Sequence, residues 1–233
     1  FPESFRWRNY LRVFEKAPFL IWMRNSIYVV SLNTLGMLLS SSLAGYAFAR
    51  FDFRGKNLLF ILTLGTMMLP SQVTLIPQFV LFHELAWVNT YKPLWVPAWF
   101  GGGAFAIFLM RQFMMQLPRE LDEAAIIDGA SAFRIYWNVL LPLCKPVLAT
   151  LAVISIIGGW NNFLGPVIYL RQSTKYTVAV GLNYFRNLPE SAGKPLQHLL
   201  MAASVMTTAP LIALFFVAQR YFVQGIALTG LKG

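Results

Sequence analysis

The stretch LPRELDEAAIIDGASAFRIYWNVLLPLCKP, residues 117–146, gathers Glu120, Asp122, Glu123 and Asp128, four of the chain's nine acidic residues, between two apolar runs. Carboxylates on a short polar stretch accept charge-assisted hydrogen bonds from a basic or amide-bearing partner. Pro118 suits the first turn of a helix, and Leu117, Leu121, Ala124, Ala125 and Asp128 follow at helical spacing. Asp128-Gly129 reads as a turn, because glycine takes a positive φ that other residues resist. Ser131 is a good N-cap for a second short helix that sets Phe133, Trp137 and Leu140/Leu141 on one face and ends near Pro142. The pattern predicts a cytoplasmic helix–turn–helix that docks on a partner. An amphipathic connector lying on the bilayer is the competing reading; the acidic first helix disfavours it, since anionic headgroups repel carboxylates.

Other chemistry is thin. Cys144 is the one cysteine, which excludes an intramolecular disulfide and a zinc ribbon. His83 and His198 have no spacing that would make them a metal pair. The chain has no Gly-x-x-x-x-Gly-Lys-Ser/Thr phosphate loop, and Gly193-Lys194 runs into Pro195. If this chain helps to drive a process, the energy comes from another polypeptide. No cofactor or metal is expected on it, and no catalytic cluster that would make it an enzyme is visible.

The elements that hold this stretch in place are apolar. Of 233 residues, 57% are hydrophobic and 12% charged, whereas soluble domains carry about 25% charged residues. Charge-free intervals cover residues 25–49, 57–83, 93–110, 146–170 and 195–219. A bilayer-crossing helix takes about 20 apolar residues, so the chain reads as an all-α, polytopic helix bundle with five spans. Gly101, Gly102 and Gly103 loosen the third; Pro70 and Pro77 in the second and Pro210 in the last remove backbone donors and kink helices. No ionisable group is expected at membrane depth, unlike in many proton- or sodium-coupled carriers. The net charge of +10 is scattered in small groups between the spans rather than gathered on one face, which disfavours nucleic acid as a partner. With the 117–146 loop on the cytoplasmic side, that side holds nine basic residues and the other ten, so the positive-inside count leaves orientation open. No cleavable signal peptide is visible in the first 24 residues, which hold five basic residues.

Polar side chains inside the spans are few. Asn33, Gln72, Asn161 and Asn162 either meet a solute or bond a neighbouring helix, because a buried amide without a partner costs several kcal/mol. Trp160 and Tyr169 either offer rings on which a sugar stacks or sit in the interfacial aromatic belt.

Glu123-Ala124-Ala125, three residues, Gly129, nine residues, Val139, one residue, then Leu141-Pro142 resembles the E-A-A loop of binding-protein-dependent ABC importer permeases. The family usually has Ile where this chain has Val139. The likeness extends over NSIYVVSLNTLGMLLSSSLAGYAFARFDFRGKN, TMMLPSQVTLIPQF, WNNFLGPVIYL and the ending QRYFVQGIALTGLKG, and it points to the maltose-type carbohydrate group. The resemblance implies one permease domain over residues 1–233 and six spans in the complete subunit, where this chain shows five. It implies a bacterial plasma (inner) membrane location and a coupling loop at 117–146. Glu123, Ala124, Ala125, Asp128, Gly129, Phe133, Trp137, Leu141 and Pro142 would face the ATPase. The partners implied are two ATP-binding cassette subunits holding ATP and Mg, a second permease, an extracytoplasmic solute-binding protein and membrane lipid. The glycine-rich ending is expected to leave the helix and become a cytoplasmic tail. Sugar or oligosaccharide is the expected cargo, with glycerol-phosphate-type solutes as the alternative. An ATPase-independent channel or secondary carrier is the competing class, and it has no use for the E-A-A spacing.

Overall fold

The computed structural model describes residues 6–186 and 196–229. Helix α1 (Arg8–Lys16) buries Val13 and, just past its end, Ala17, and rests on the last helix of the chain. Pro18 precedes α2 (Phe19–Arg50), whose 32 residues contain no proline. At ~1.5 Å per residue this helix is about 48 Å long, more than the ~30 Å hydrocarbon core requires. It ends where Phe51 turns extended, and Arg50 in its last turn complements the helix dipole.

Next come α3 (Lys56–Gly65), a 3-10 turn (Thr66–Met68) and α4 (Ser71–Glu84). The second apolar block is thus not one straight rod: its two halves meet at 100°. Pro70 is the cause. Its ring pushes the preceding residue out of the helical region, and Leu69 accordingly sits at φ −80°, ψ 117°. Pro77, also expected to kink the chain, remains inside α4.

Short α5 (Lys92–Trp95) and a 3-10 turn (Val96–Trp99) lead to α6 (Ala104–Gln116). Between them Gly101, Gly102 and Gly103 take φ of 114°, 60° and 94°, a run that only glycine sustains cheaply. After the loop follow α7 (Glu120–Ile127), α8 (Ala132–Arg134), a π-helical turn (Ile135–Leu140) and α9 (Leu141–Leu143). Then α10 (Lys145–Trp160) is separated from α11 (Leu164–Tyr169) by residues 161–163, so the fourth block, 146–170, is also interrupted. Ala132–Leu143 and Lys145–Trp160 meet at 76°. The chain closes with α12 (Val178–Arg186) and α13 (Gln197–Thr229). The expected departure from helix in the glycine-rich ending does not occur through Thr229: α13 continues past Gly225, since one glycine costs about 1 kcal/mol against a helix already propagating. The Gly230–Gly233 ending, Gly193-Lys194 and Pro195 lie outside the described residues.

Three helical stretches, Phe19–Arg50, Lys92–Gln116 and Gln197–Val217, are long and apolar enough to cross a bilayer, or five if each bent pair is one span. Among the described residues there is no β-strand. Helix α2 packs most extensively on α6 and also on α10, and it joins two cores. One holds Val13, Trp22, Val30, Trp160, Val178 and Leu199. The other holds Met37, Tyr46, Met110, Met114, Tyr136, Leu140 and Leu151. Leu58, Ile61, Leu62, Ile76 and Val80 stay exposed, as the surface of a protein solvated by lipid does. The five blocks themselves hold no Lys, Arg, Asp or Glu, but the helices run past the block ends and take in the flanking Arg24, within α2, and Arg111. Arg111 lies inside α6, where its guanidinium covers the Phe60 ring at 4.2 Å, a stacked arrangement that lowers the cost of holding a cation there.

Candidate functional site

The loop after α6 is built as its residues dictate. Glu120, Asp122 and Glu123 occupy the first turn of α7, where carboxylates meet the positive end of the helix dipole. Its other end closes with two bonds: the Gly129 amide donates to the Ile126 carbonyl at 2.9 Å, and the Ala130 amide to the Ala125 carbonyl at 2.9 Å. This is a Schellman cap, and it needs the left-handed residue that Gly129 supplies at φ 77°. Ser131 caps the following helix, its Oγ accepting from the Arg134 amide at 3.4 Å.

One side of the loop faces the bundle. Leu117, Leu121, Asp122 and Ala125 are half-buried, while Ile135, Tyr136 and Leu140 are buried. The other side faces out: Glu123, Ala124, Asp128, Gly129 and Pro142 are exposed. With them stand Ile126, Ile127 at 85% exposure, Phe133 at 66% and Trp137 at 49%. Phe133 and Trp137 stack with centroids 6.2 Å apart. Leu141 is half-buried, and Leu140 does not share the face of Phe133 and Trp137 as the spacing predicts, because the wider π turn rotates it into the core. Ala124 and Asp128, which share helical spacing with Leu117, Leu121 and Ala125, stand on the exposed side.

The inward side is fastened to α2. Arg50 donates from a guanidinium nitrogen to the Leu117 carbonyl at 3.0 Å, and its Nε lies 3.0 Å from Asp122 Oδ2. That second contact falls short of hydrogen-bond geometry, so it is an ion pair rather than a bond. The Tyr46 hydroxyl donates to the Ala132 carbonyl at 3.0 Å. Ser42 Oγ and the Tyr136 hydroxyl share a buried bond of 2.8 Å. Arg50, Asp122, Tyr46, Glu123, Ile126 and Ile135 are among the residues lining a cavity of ~320 Å³. These contacts place the Arg50 end of α2 on the same side as the loop, and the Phe19 end on the opposite side.

Sequence spacing alone misses Arg50, Tyr46, Ser42 and the two isoleucines. A signal was present for the first three: positions 42, 46 and 50 put polar groups every fourth residue, on one face of the last turns of the helix.

The six polar or aromatic positions named within the spans separate into two groups. Asn33 donates to Ser155 Oγ at 3.5 Å, beside a Thr34–Ser155 bond of 2.9 Å, and so ties α2 to α10. Trp160 is buried, its indole N–H donating to the Thr207 carbonyl of α13 at 3.2 Å. Tyr169 is buried too, stacked on Phe79 and edge-on to Phe82. Gln72, Asn161 and Asn162 are exposed, and each lies beside a break in its helix. Asn161 bonds only its own helix, at the Ile157 carbonyl, and Asn162 Oδ1 accepts from the Gly165 amide. Among the described residues no cluster of His, Cys, Asp or Glu is fit to hold a metal.

Residues 36–228 match the family model described as "Binding-protein-dependent transport system inner membrane component". The arabinooligosaccharides transport system permease protein AraQ of Halalkalibacterium halodurans is 36% identical over 233 residues, covering 100% of this chain and 81% of that protein. The sn-glycerol-3-phosphate transport system permease protein UgpE of Yersinia enterocolitica is 37% identical over 232 residues, covering 97% of this chain and 81% of the relative. Among solved structures, a bacterial ABC transporter involved in the import of the acidic polysaccharide alginate superposes with a TM-score of 0.85 at 26% identity. It covers 95% of this chain and 81% of the other. The chain belongs to the inner-membrane components of binding-protein-dependent transport systems, the multi-pass permease subunits of bacterial ABC importers.

Proposed function

We propose that this permease imports a sugar or oligosaccharide, and that its 117–146 loop receives the force of ATP binding from a separate ATPase subunit that holds ATP and Mg. The observation that supports the coupling role is the two-sidedness of the loop. One side is fastened to α2, while Glu123, Ile126, Ile127, Phe133 and Trp137 stand free. A cluster of exposed aliphatic and aromatic side chains beside a carboxylate has the make-up of a protein docking surface. Glu123 accepts hydrogen bonds from the ATPase, Ala124 lets its surface approach, and Gly129 with Asp128 forms the turn. Phe133 and Trp137 anchor the second helix, and Leu141-Pro142 returns the chain to the bundle. Closing of two ATPase subunits moves the loop and switches the membrane subunits between inward- and outward-facing states. This is a two-state equilibrium biased by nucleotide. A second permease completes the pathway, and an extracytoplasmic binding protein delivers the solute.

Gln72, Asn161 and Asn162 are the polar groups placed to meet cargo, since they are exposed where helices break. Neutral sugar hydroxyls suit amides, which donate and accept. The likeness to UgpE supports a second reading, glycerol-phosphate-type cargo. Arg111 covers Phe60 rather than lining the breaks, which favours the neutral solute. The test is uptake of labelled arabinose oligosaccharides and of labelled glycerol 3-phosphate by native-host cells carrying the complete importer. We expect oligosaccharide uptake, reduced at least about tenfold by Glu123→Arg at equal permease level, as loss of a buried interfacial charge contact predicts. Glycerol 3-phosphate uptake alone would overturn the cargo. Full uptake in the Glu123→Arg cells would overturn the docking role of that residue.

A further inference from the structure

Helix α2 is bonded at both ends to segments far apart in the sequence. At its inner end Ser42, Tyr46 and Arg50, one turn apart on a single face, each hold a different part of the loop: Tyr136, the Ala132 carbonyl, and the Leu117 carbonyl with Asp122. Both helices of the loop are therefore tied to it. At its outer end the Trp22 indole donates to the Ser173 carbonyl at 2.8 Å, and Asn25 donates to the Thr174 and Tyr176 carbonyls at 2.9 and 3.0 Å. Ser26 Oγ accepts from the Val178 amide at 2.8 Å. Asn25 and Ser26 are 3% and 1% exposed, so these bonds lie out of solvent, where breaking one leaves an unsatisfied polar group. Segment 173–178 is a 3-10 turn (Ser173–Lys175) that passes through Tyr176 and Thr177 into α12, and α2 supplies partners for its backbone at Ser173, Thr174, Tyr176 and Val178.

Between these ends α2 is stiff. The Lys92–Gln116 span is interrupted by three glycines with positive φ, and α3/α4 and α9/α10 are bent by 100° and 76°. Helix α13 contains Pro210. Among the described residues α2 is the one span-length helix with neither a break nor a proline. The helices that adjoin the loop in sequence, α6 and α10, are joined to it through a non-helical turn and a sharp bend. Such joints yield before a continuous helix does.

We infer that α2 is the rod that carries movement of the coupling loop to the outer segment 173–178, gripped by Ser42, Tyr46 and Arg50 at one end and by Trp22, Asn25 and Ser26 at the other. The inference rests on the coupling role proposed above, and adds where the movement goes. Arg50 and Asn25 are positioning residues in this scheme: neither touches solute or nucleotide.

The test uses the assembled importer in native-host membranes, with Gln172→Cys as a reporter. Gln172 is an exposed residue beside the gripped segment, and the native Cys144 is buried. Maleimide labelling of the reporter is timed with and without a non-hydrolysable ATP analogue. Without further change, the labelling rate depends on nucleotide. In Arg50→Ala and in Asn25→Ala that dependence falls about fivefold or more, within the range seen for residues along a coupled network, while the ATPase still co-purifies. Arg50→Lys keeps a cation beside Asp122 and retains a clear part of the response, which a purely structural role would not single out. A full response in Arg50→Ala complexes, or no nucleotide dependence in the unaltered protein, overturns the rod. Should Arg50→Ala fail to assemble, Asn25→Ala, at the far end from the loop, decides the matter by the same criterion. Absence of any co-purifying ATPase from the unaltered protein would instead sink the coupling reading on which the rod rests.

Discussion

Gly129 shows how one residue's conformation sets the loop. Its φ of 77° is required by the cap that ends α7, yet nothing lies within 4 Å of where a Cβ would stand. The cost of a substitution there is conformational only, about 1–2 kcal/mol for a β-branched side chain forced into the left-handed region. Gly129→Val should lower uptake by the complete importer by roughly the tenfold that such an energy implies. Gly129→Asn should lower it less, because asparagine tolerates that region. Equal loss in the two, measured at equal permease level, would show that space rather than φ matters there. Gly129 was legible from the Asp-Gly turn signal, and the Ser131 cap from residue type. The Arg50–Asp122 pair was not, because spacing within one segment says nothing of a partner 72 positions away.

At the scale of the element, the five apolar blocks located the spans, but not their internal breaks. Proline and glycine announced interruptions at Pro70 and Gly101–Gly103 correctly. Pro77 carried the same signal without breaking α4, since local composition cannot say which proline has neighbours that hold its helix together. The break after Trp160 carried a signal that block length alone passes over, Pro166, whose ring clashes with the Asn162 carbonyl of a continuing helix. The close approach of α2 and α6 leads to a sharper expectation. A Cβ at Gly45 would stand 2.6 Å from Met110 Cβ and 3.0 Å from the Arg111 amide nitrogen, whereas one at Gly158 would meet nothing within 4 Å. Gly45→Ala should destabilise the detergent-solubilised protein by about 1–3 kcal/mol, the usual cost of overpacking. Gly158→Ala should leave the thermal midpoint unchanged or raise it, as alanine favours a helix by about 0.8–1 kcal/mol over glycine. The reverse order of midpoints would contradict the helix packing described here.

For the whole molecule, composition gave the membrane class, and the loop spacing gave the family. The positive-inside count was balanced and could not assign sides. Tertiary contact shows which ends lie together, since Arg50 and the loop meet at one end while Trp22 and Asn25 meet segment 173–178 at the other. The exposed apolar stretches of α3 and α4 and the free face of the loop share one reason for being invisible to local pattern: both are defined by what the fold leaves uncovered. In the proposed coupling role, this free face rests on an ATPase. The most direct measurement places a photo-crosslinking amino acid at Ile127, the most exposed of the loop's large apolar side chains, in the full-length permease in native-host membranes. A matching probe at Leu20, exposed near the opposite end of α2, serves as the control. An adduct with an ATP-binding subunit is expected at Ile127 and none at Leu20. Adducts at Ile127 with lipid alone would contradict that role and make the loop a membrane-surface connector.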